Sequence, residues 1–356
     1  MPDFHRIRSS LCRTKASQCP PIPQSINQVQ IGGAFAETYL GERYLLHLDN
    51  IEGVAIFITD TELALIGASR MLYVDGTFRT APGPYVQIFT IHGECLGRVV
   101  NLGAALLTGK TQRHYDVVFT TIAAEVQRVT GVALGAQLIV CDFELAIFNS
   151  VRTHFPNVVI GGCYFHFTQN LWRHIQQLGL AGPYQANPNL MQCIRCCFAL
   201  GLLPPASVVN SFIILENSAA TQLLLATYPN LRVFFDYVYN TYIIGGNYPL
   251  DTWNVFNRGM SVRTNNVVES YHSRWNQCVG VRHPSLWTFI TKLQDQEVIT
   301  RNSIIQANNG HPPPPRKAKW RRMERRIDNL KTELVNGQRT LAEYWIALTH
   351  VIAIFR

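Results

Sequence analysis

The clearest pattern along the chain is a set of three apolar, β-branched runs, MLYVDGTF (71–78), YVQIFTIHG (85–93) and VVNLGAALLTG (99–109). Turn signals separate them, Ala81 to Pro84 and Gly93 to Arg98, which predicts three adjacent antiparallel strands. HYDVVFTTIAAEVQRV (114–129) changes to helical period, with Val117, Ile122, Val126 and Val129 among its apolar positions. AQLIVCDFE (136–144) then reads as a strand, LAIFNSVRTHF (145–155) as a helix, NVVIGGCYFH (157–166) as a fifth strand and FTQNLWRHIQQLG (167–179) as a helix. Ahead of these elements, AETYLGERYLLHLDN (36–50) and DTELALIGASR (60–70) suggest short helices around the strand VAIFIT (54–59).

The order β-β-β-α-β-α-β-α predicts an α/β chain with an RNase H-like core, a mixed five-stranded sheet with helices on its faces. From about Leu190 to Asn257 the text becomes helical and aromatic, with Pro204-Pro205 and Gly245-Gly246 as breaks, so an all-α insertion is expected after the fifth strand. Long helices return in RTNNVVESYHSRWNQCVG (263–280) and SLWTFITKLQDQEVITRNSIIQ (285–306), followed by the breaker His311 to Pro315. The expected organisation is a loose leader over 1–35, a helical and strand extension over 36–70, and the core over 71–180. The helical insertion follows over 181–262, the last core helices over 263–310, and a Pro-rich linker with a basic helical tail over 311–356.

Composition supports a folded chain: of 356 residues 47% are hydrophobic and 15% charged. The nine cysteines are odd in number and scattered, which reads as reduced intracellular thiols. No apolar stretch approaches the roughly 20 residues of a membrane span, so a soluble, non-secreted protein without a membrane partner is expected. A net charge of +8 favours an anionic partner. Much of it is local: seven Lys or Arg (Arg316, Lys317, Lys319, Arg321, Arg322, Arg325, Arg326) and one Glu give +6 between Arg316 and Arg326. Such a run suits contact with the DNA backbone or a nuclear-import signal, and equally a solvated helix face; Trp320 within it offers a stacking surface.

With only 23 acids in the chain, an acid inside an apolar stretch stands out. Asp75 ends LYV and Asp142 ends LIVC, and a carboxylate there is costly unless it meets a cation or donors. Two such carboxylates from neighbouring strands, completed by a third from a later helix, make an oxygen-rich site for Mg²⁺. Each acid also has a plain structural explanation. Asp75-Gly76 is a hairpin-turn dipeptide, Asp142 can cap the helix starting near Leu145, and Asn266-Val-Val-Glu269 has capping-box spacing. Cys163 and His166 have the spacing of half a zinc site, with Cys193 and Cys196 as a conceivable second half; the buried face of a helix is the favoured explanation of the latter two.

DGTFRTAP, IVCDFELA, GGCYFHFTQNLWR, the GLLP break and RTNNVVESYHS, in that order from about Met71 to Ser285, resemble the catalytic domain of Mutator-like element (MULE) transposases. The resemblance implies a D-D-E enzyme on an RNase H-like fold, with Asp75, Asp142 and Glu269 as catalytic and metal-holding residues and Cys163 and His166 as the family's Cys-x-x-His pair. It implies Mg²⁺ or Mn²⁺ as cofactor, nicking of double-stranded DNA at element ends, strand transfer into target DNA, a homo-oligomer on DNA and a nuclear location. Arg263, Asn265, Asn266 and His272 surround the Glu and are candidate phosphate contacts, alongside the basic tail. Full-length members carry a zinc finger ahead of the catalytic domain, whereas the roughly 70 residues before the first motif strand hold no paired metal ligands. A truncated or inactive form, or a domesticated, non-catalytic nuclear DNA-binding or regulatory protein, is therefore the alternative expectation.

Overall fold

Seven strands, where five were expected in the core and a sixth in VAIFIT, are present in a computed structural model that describes residues 19–244, 247–259, 266–313 and 318–352, with residues 266 and 267 described in their backbone alone. The strands are β1 (Leu45–Asp49), β2 (Val54–Phe57), β3 (Met71–Thr77), β4 (Gln87–Cys95), β5 (Arg98–Leu107), β6 (Leu138–Cys141) and β7 (Val159–Gly162). The α-helices are α1 (Asp60–Ala68), α2 (Gln112–Thr130), α3 (Leu145–His154), α4 (Tyr164–Gln177), α5 (Ala181–Ala186), α6 (Pro188–Ala199) and α7 (Pro205–Asn217). They continue with α8 (Ala219–Thr227), α9 (Asn230–Val238), α10 (Leu250–Trp253), α11 (Asn266–Val279), α12 (Leu286–Asn308), α13 (Ala318–Val335) and α14 (Leu341–Val351). Parallel and antiparallel pairing both occur, so the chain is of mixed α/β class. It divides into two compact units, one comprising Met1–Gln137, Asn149–Val158 and Val268–Pro312, the other Leu138–Phe148, Val159–Val267 and Pro313–Arg356.

In the first unit the strands pair antiparallel in the order β1-β2-β5-β4-β3. β4 is covered on both faces, and its period of two distributes its side chains between them. Ile88 joins Tyr271 and Trp275 of α11 and Leu286, Phe289 and Ile290 of α12 in one apolar cluster. Its neighbour Phe89 points the other way, with its ring centroid 5.0 Å from Tyr115 and 6.0 Å from Phe119 of α2. A bulge in the β4–β5 pairing falls between Ile91 and His92, where Asn101 donates one side-chain hydrogen bond to the Ile91 carbonyl and one to that of Gly103.

Two expectations fail in this unit. The helix expected within 36–50 is instead strand β1, because Leu45–Asp49 pairs with β2 and each of its residues is half-buried. Leu is a good helix former, and cross-strand packing overrides that preference. The end of the leader is docked, not loose. Val29 is buried in the same cluster as Trp287, the Trp287 indole donates to the Pro21 carbonyl, and Gln294 donates to the carbonyls of Ala34 and Glu37.

In the second unit β6 and β7 run parallel, with Leu138 opposite Val159 and Cys141 opposite Gly162. Gly162 is required by packing, since a Cβ there would stand 2.3 Å from the Phe143 ring. Phe143 lies among Phe148, Phe167, Tyr242 and Tyr248, and the Tyr248 hydroxyl donates to its carbonyl at 2.6 Å. Between α4 and residue 259 the described residues are helices and connections only. α14 packs on α6 and the turn after it, where Trp345 donates to the Cys196 carbonyl and Tyr344 to that of Leu202. No single helix is long and apolar enough to cross a membrane among the described residues; only α7 and α8 together reach that length, bent by 59°.

Glu62 gives the first unit a pH dependence. It closes a capping box at the start of α1, where its carboxylate accepts from the Thr59 backbone N–H and hydroxyl. Burial pushes its pKa up from 4.5 to about 7, against the opposing effect of those hydrogen bonds. A carboxyl that titrates higher in the folded chain than in the unfolded one favours folding most below about 4.5 and progressively less as the pH rises toward about 7. Glu62→Gln, which keeps an acceptor for the cap, is therefore expected to stabilise the protein at pH 8 by roughly 1–3 kcal/mol and to change little at pH 4. Thermal unfolding at the two pH values checks this, and equal destabilisation at both would contradict it.

Candidate active site

Asp75 is not in a turn. β3 runs through Asp75 and Gly76 to Thr77, with Asp75 opposite Thr90 and Gly76 opposite Phe89 on β4. The carboxylate is thus carried on a paired strand with 5% of the residue exposed. Its Oδ1 accepts from the Gly76 backbone N–H at 2.8 Å, and its Oδ2 stands 3.5 Å from Nδ1 of His272 on α11. His272 in turn places Nε2 3.0 Å from the Thr90 hydroxyl, which also lies 3.1 Å from Nε2 of the fully buried His92. Burial, reinforced by His272 and Arg274, holds the His92 pKa well below its ordinary value, so this imidazole is neutral.

α11 holds His272 in place through its apolar face. Tyr271 and Trp275 enter the cluster beneath β4, the Trp275 indole donates to Thr80 at 2.9 Å, and Tyr271 meets His92 edge-on. Glu269 lies one turn before His272, in the first turn of the same helix, and its Oε1 is buried. The spacing i, i+3 brings both residues to one side of the helix. His272, expected as a phosphate contact, is partly buried and lies against Asp75 and Thr90.

The second unit repeats the arrangement. Asp142 directly follows β6, and its Oδ1 accepts from the Phe143 N–H at 2.6 Å and stands 3.4 Å from Nδ1 of His166. Asp142 does not cap α3: the Glu144 carbonyl accepts the first helical N–H groups, from Ile147 and Phe148, which puts Asp142 two residues outside the helix start. His166 is 8% exposed, in the first turn of α4; burial lowers its pKa, and the nearby Asp142 charge opposes that shift. Cys163 occupies the N-cap position of α4, fully buried, with its backbone N–H on the Cys141 carbonyl at 3.1 Å.

The Cys-x-x-His spacing therefore sets His166 against Asp142 and uses Cys163 at the strand-to-helix junction. Cys193 lies 3.7 Å from the Thr221 hydroxyl, and burial pushes the Cys193 and Cys196 thiols up to about 11 and about 12. Among the described residues no group of three or more metal-ligating side chains includes Cys163, Cys193 or Cys196, and none of the eight described cysteines is in a disulfide.

Arg263, Asn265, Arg316 and Lys317 lie outside the described residues, as does the side chain of Asn266. Lys319, Arg321, Arg322, Arg325 and Arg326 are exposed on α13, with Lys319 over the Trp320 ring. Thr90 and His92 were not among the residues singled out from the sequence. A histidine inside the apolar run FTIHG was the available signal.

A comparison with curated proteins finds no match. Residues 71–170 match the family model described as the MULE transposase domain, a stretch that holds Asp75, Asp142, Cys163 and His166 and ends before Glu269. From β3 into α4, then, this chain is similar to the MULE transposase domain.

Proposed function

We propose that this chain is the catalytic part of a D-D-E transposase, in which Asp75, Asp142 and Glu269 form the acidic triad and double-stranded DNA, both element end and target, is the substrate. The observation that carries the reading is that both aspartates of the matched domain stand in or at the end of an apolar strand with a histidine facing the carboxylate. Glu269, beyond the matched stretch, is supported by its place one turn from the histidine that faces Asp75.

The donor chemistry fits a hard divalent cation, Mg²⁺ or Mn²⁺, because three carboxylates offer oxygen ligands. When bound, such a cation neutralises charge on the reacting phosphate and promotes ionisation of the attacking hydroxyl. The protein's own part is positioning. The Gly76 and Phe143 N–H groups fix one oxygen of each aspartate, and the neighbouring histidines set the carboxylates' orientation. In both nicking and strand transfer an oxygen attacks phosphorus, a P–O bond breaks, and the leaving 3′ oxygen takes up a proton; such reactions depend on alignment more than on covalent chemistry. The exposed basic face of α13 supports contact with the DNA backbone and a nuclear location, and two copies acting on paired DNA ends is the assembly proposed.

Purified protein is expected to nick DNA carrying element ends only with Mg²⁺ or Mn²⁺, and Asp75→Asn, Asp142→Asn and Glu269→Gln are each expected to slow it by roughly 10²–10³-fold. Plasmid or oligonucleotide cleavage assays check this. Folded protein that binds DNA without metal-dependent cleavage would instead favour a domesticated, non-catalytic role. Replacing Arg321, Arg322, Arg325 and Arg326 by Ala is expected to weaken DNA binding for all sequences alike and to flatten its salt dependence, by about 0.9 in log–log slope for each phosphate no longer neutralised. A salt titration of affinity that keeps its slope would contradict this role.

A further inference from the structure

The Asp75 carboxylate is met by a chain of side chains that the proposed triad does not include. The Thr90 hydroxyl stands directly across the β3–β4 ladder from Asp75, 3.0 Å from His272 Nε2, and His272 Nδ1 is 3.5 Å from Asp75 Oδ2. The imidazole thus bridges a hydroxyl and a carboxylate, one through each ring nitrogen.

The hydroxyl end of the bridge is itself embedded. Asn101 donates to the carbonyls of Ile91 and Gly103 and also brings its Nδ2 within 3.5 Å of His92 Nε2. Thr90 Oγ1 lies 3.1 Å from His92 Nε2 and 3.0 Å from His272 Nε2, and its hydroxyl donates to the Asp75 carbonyl at 3.3 Å. Thr90 thereby seats one edge of the His272 ring and leaves the other, Nδ1, facing Asp75 Oδ2. The seat is rigid on every side, because Thr90 and His92 are buried on β4 and α11 is anchored by Tyr271 and Trp275.

We infer that His272 is a positioning residue for metal binding: seated by Thr90, it holds the Asp75 carboxylate in the orientation in which it binds a cation. The inference rests on the reading of Asp75 as a metal ligand and adds to it the residues that orient the ligand. Partners of this kind commonly contribute 10–100-fold to metal affinity. It also explains a histidine three residues after Glu269: one helix supplies both an acid of the triad and the group that orients another.

The test is Mn²⁺ binding to the full chain, without DNA, by calorimetry or electron paramagnetic resonance. His272→Ala is expected to weaken Mn²⁺ binding by roughly tenfold or more. His272→Asn, whose amide nitrogen falls where Nδ1 stands, should recover most of the affinity. His272→Gln reaches the Nε2 position instead and should behave like His272→Ala, and Thr90→Val should weaken binding while Thr90→Ser does not. A merely space-filling histidine would make the Asn and Gln variants alike, and that result, or unchanged affinity in His272→Ala, would overturn the inference. If His272→Ala does not fold, the Asn and Gln pair decides. Asp75→Asn separates the two levels: loss of Mn²⁺ binding there with none in the His272 variants sinks this inference alone, whereas unchanged binding in Asp75→Asn sinks the metal site as well.

Discussion

A carboxylate carried on a buried strand must be met by donors or by a cation, and that requirement governs the local structure around both aspartates. Asp75 sits on a fully paired strand with almost no exposure, a position that costs several kcal/mol if the charge is left alone. The chain answers with a backbone N–H on one oxygen and an imidazole near the other. Asp142 receives the same two kinds of partner from Phe143 and His166.

The surrounding elements read as supports for these two positions. In the first unit β4 is covered on both faces, and the face that carries Ile88 binds α11, the helix that brings His272 and Glu269 to their places. In the second unit Gly162 has no side chain, so Phe143 can lie flat against β7 among four other rings and hold the residue after Asp142. Arg258 fills the space over Gly161 and donates to the Gly162 carbonyl at 2.8 Å. Residues that never touch a substrate thereby fix the direction of the carboxylates.

How far the sequence showed this depends on the range of the interactions. β3 to β7 were legible because β-branched runs between turn residues carry a local signal, and Asp75 and Asp142 stood out because they interrupt such runs. β1 was hidden because three of the five residues of LLHLD are Leu, a good helix former, and the segment becomes a strand by pairing with β2. The docking of residues 21–35 was hidden because its partners, Trp287 and Gln294, lie more than 250 positions away. The His272 contact to Thr90 spans 182 positions, and spacing alone could not distinguish a histidine facing phosphate from one facing Asp75. The zinc alternative required knowing that α6 buries Cys193 and Cys196 in an apolar layer, which the sequence suggested and the burial of both thiols bears out.

The central proposal is that Asp75 and Asp142 are both ligands of a divalent cation. A double-mutant cycle on Mn²⁺ affinity, with Asp75→Asn, Asp142→Asn and the double variant, tests it most directly. If both carboxylates bind the same ion, each single change removes most of the affinity and the double change adds little, a strong non-additivity. Additive losses, or affinity untouched by either change in protein that remains folded, would contradict the account.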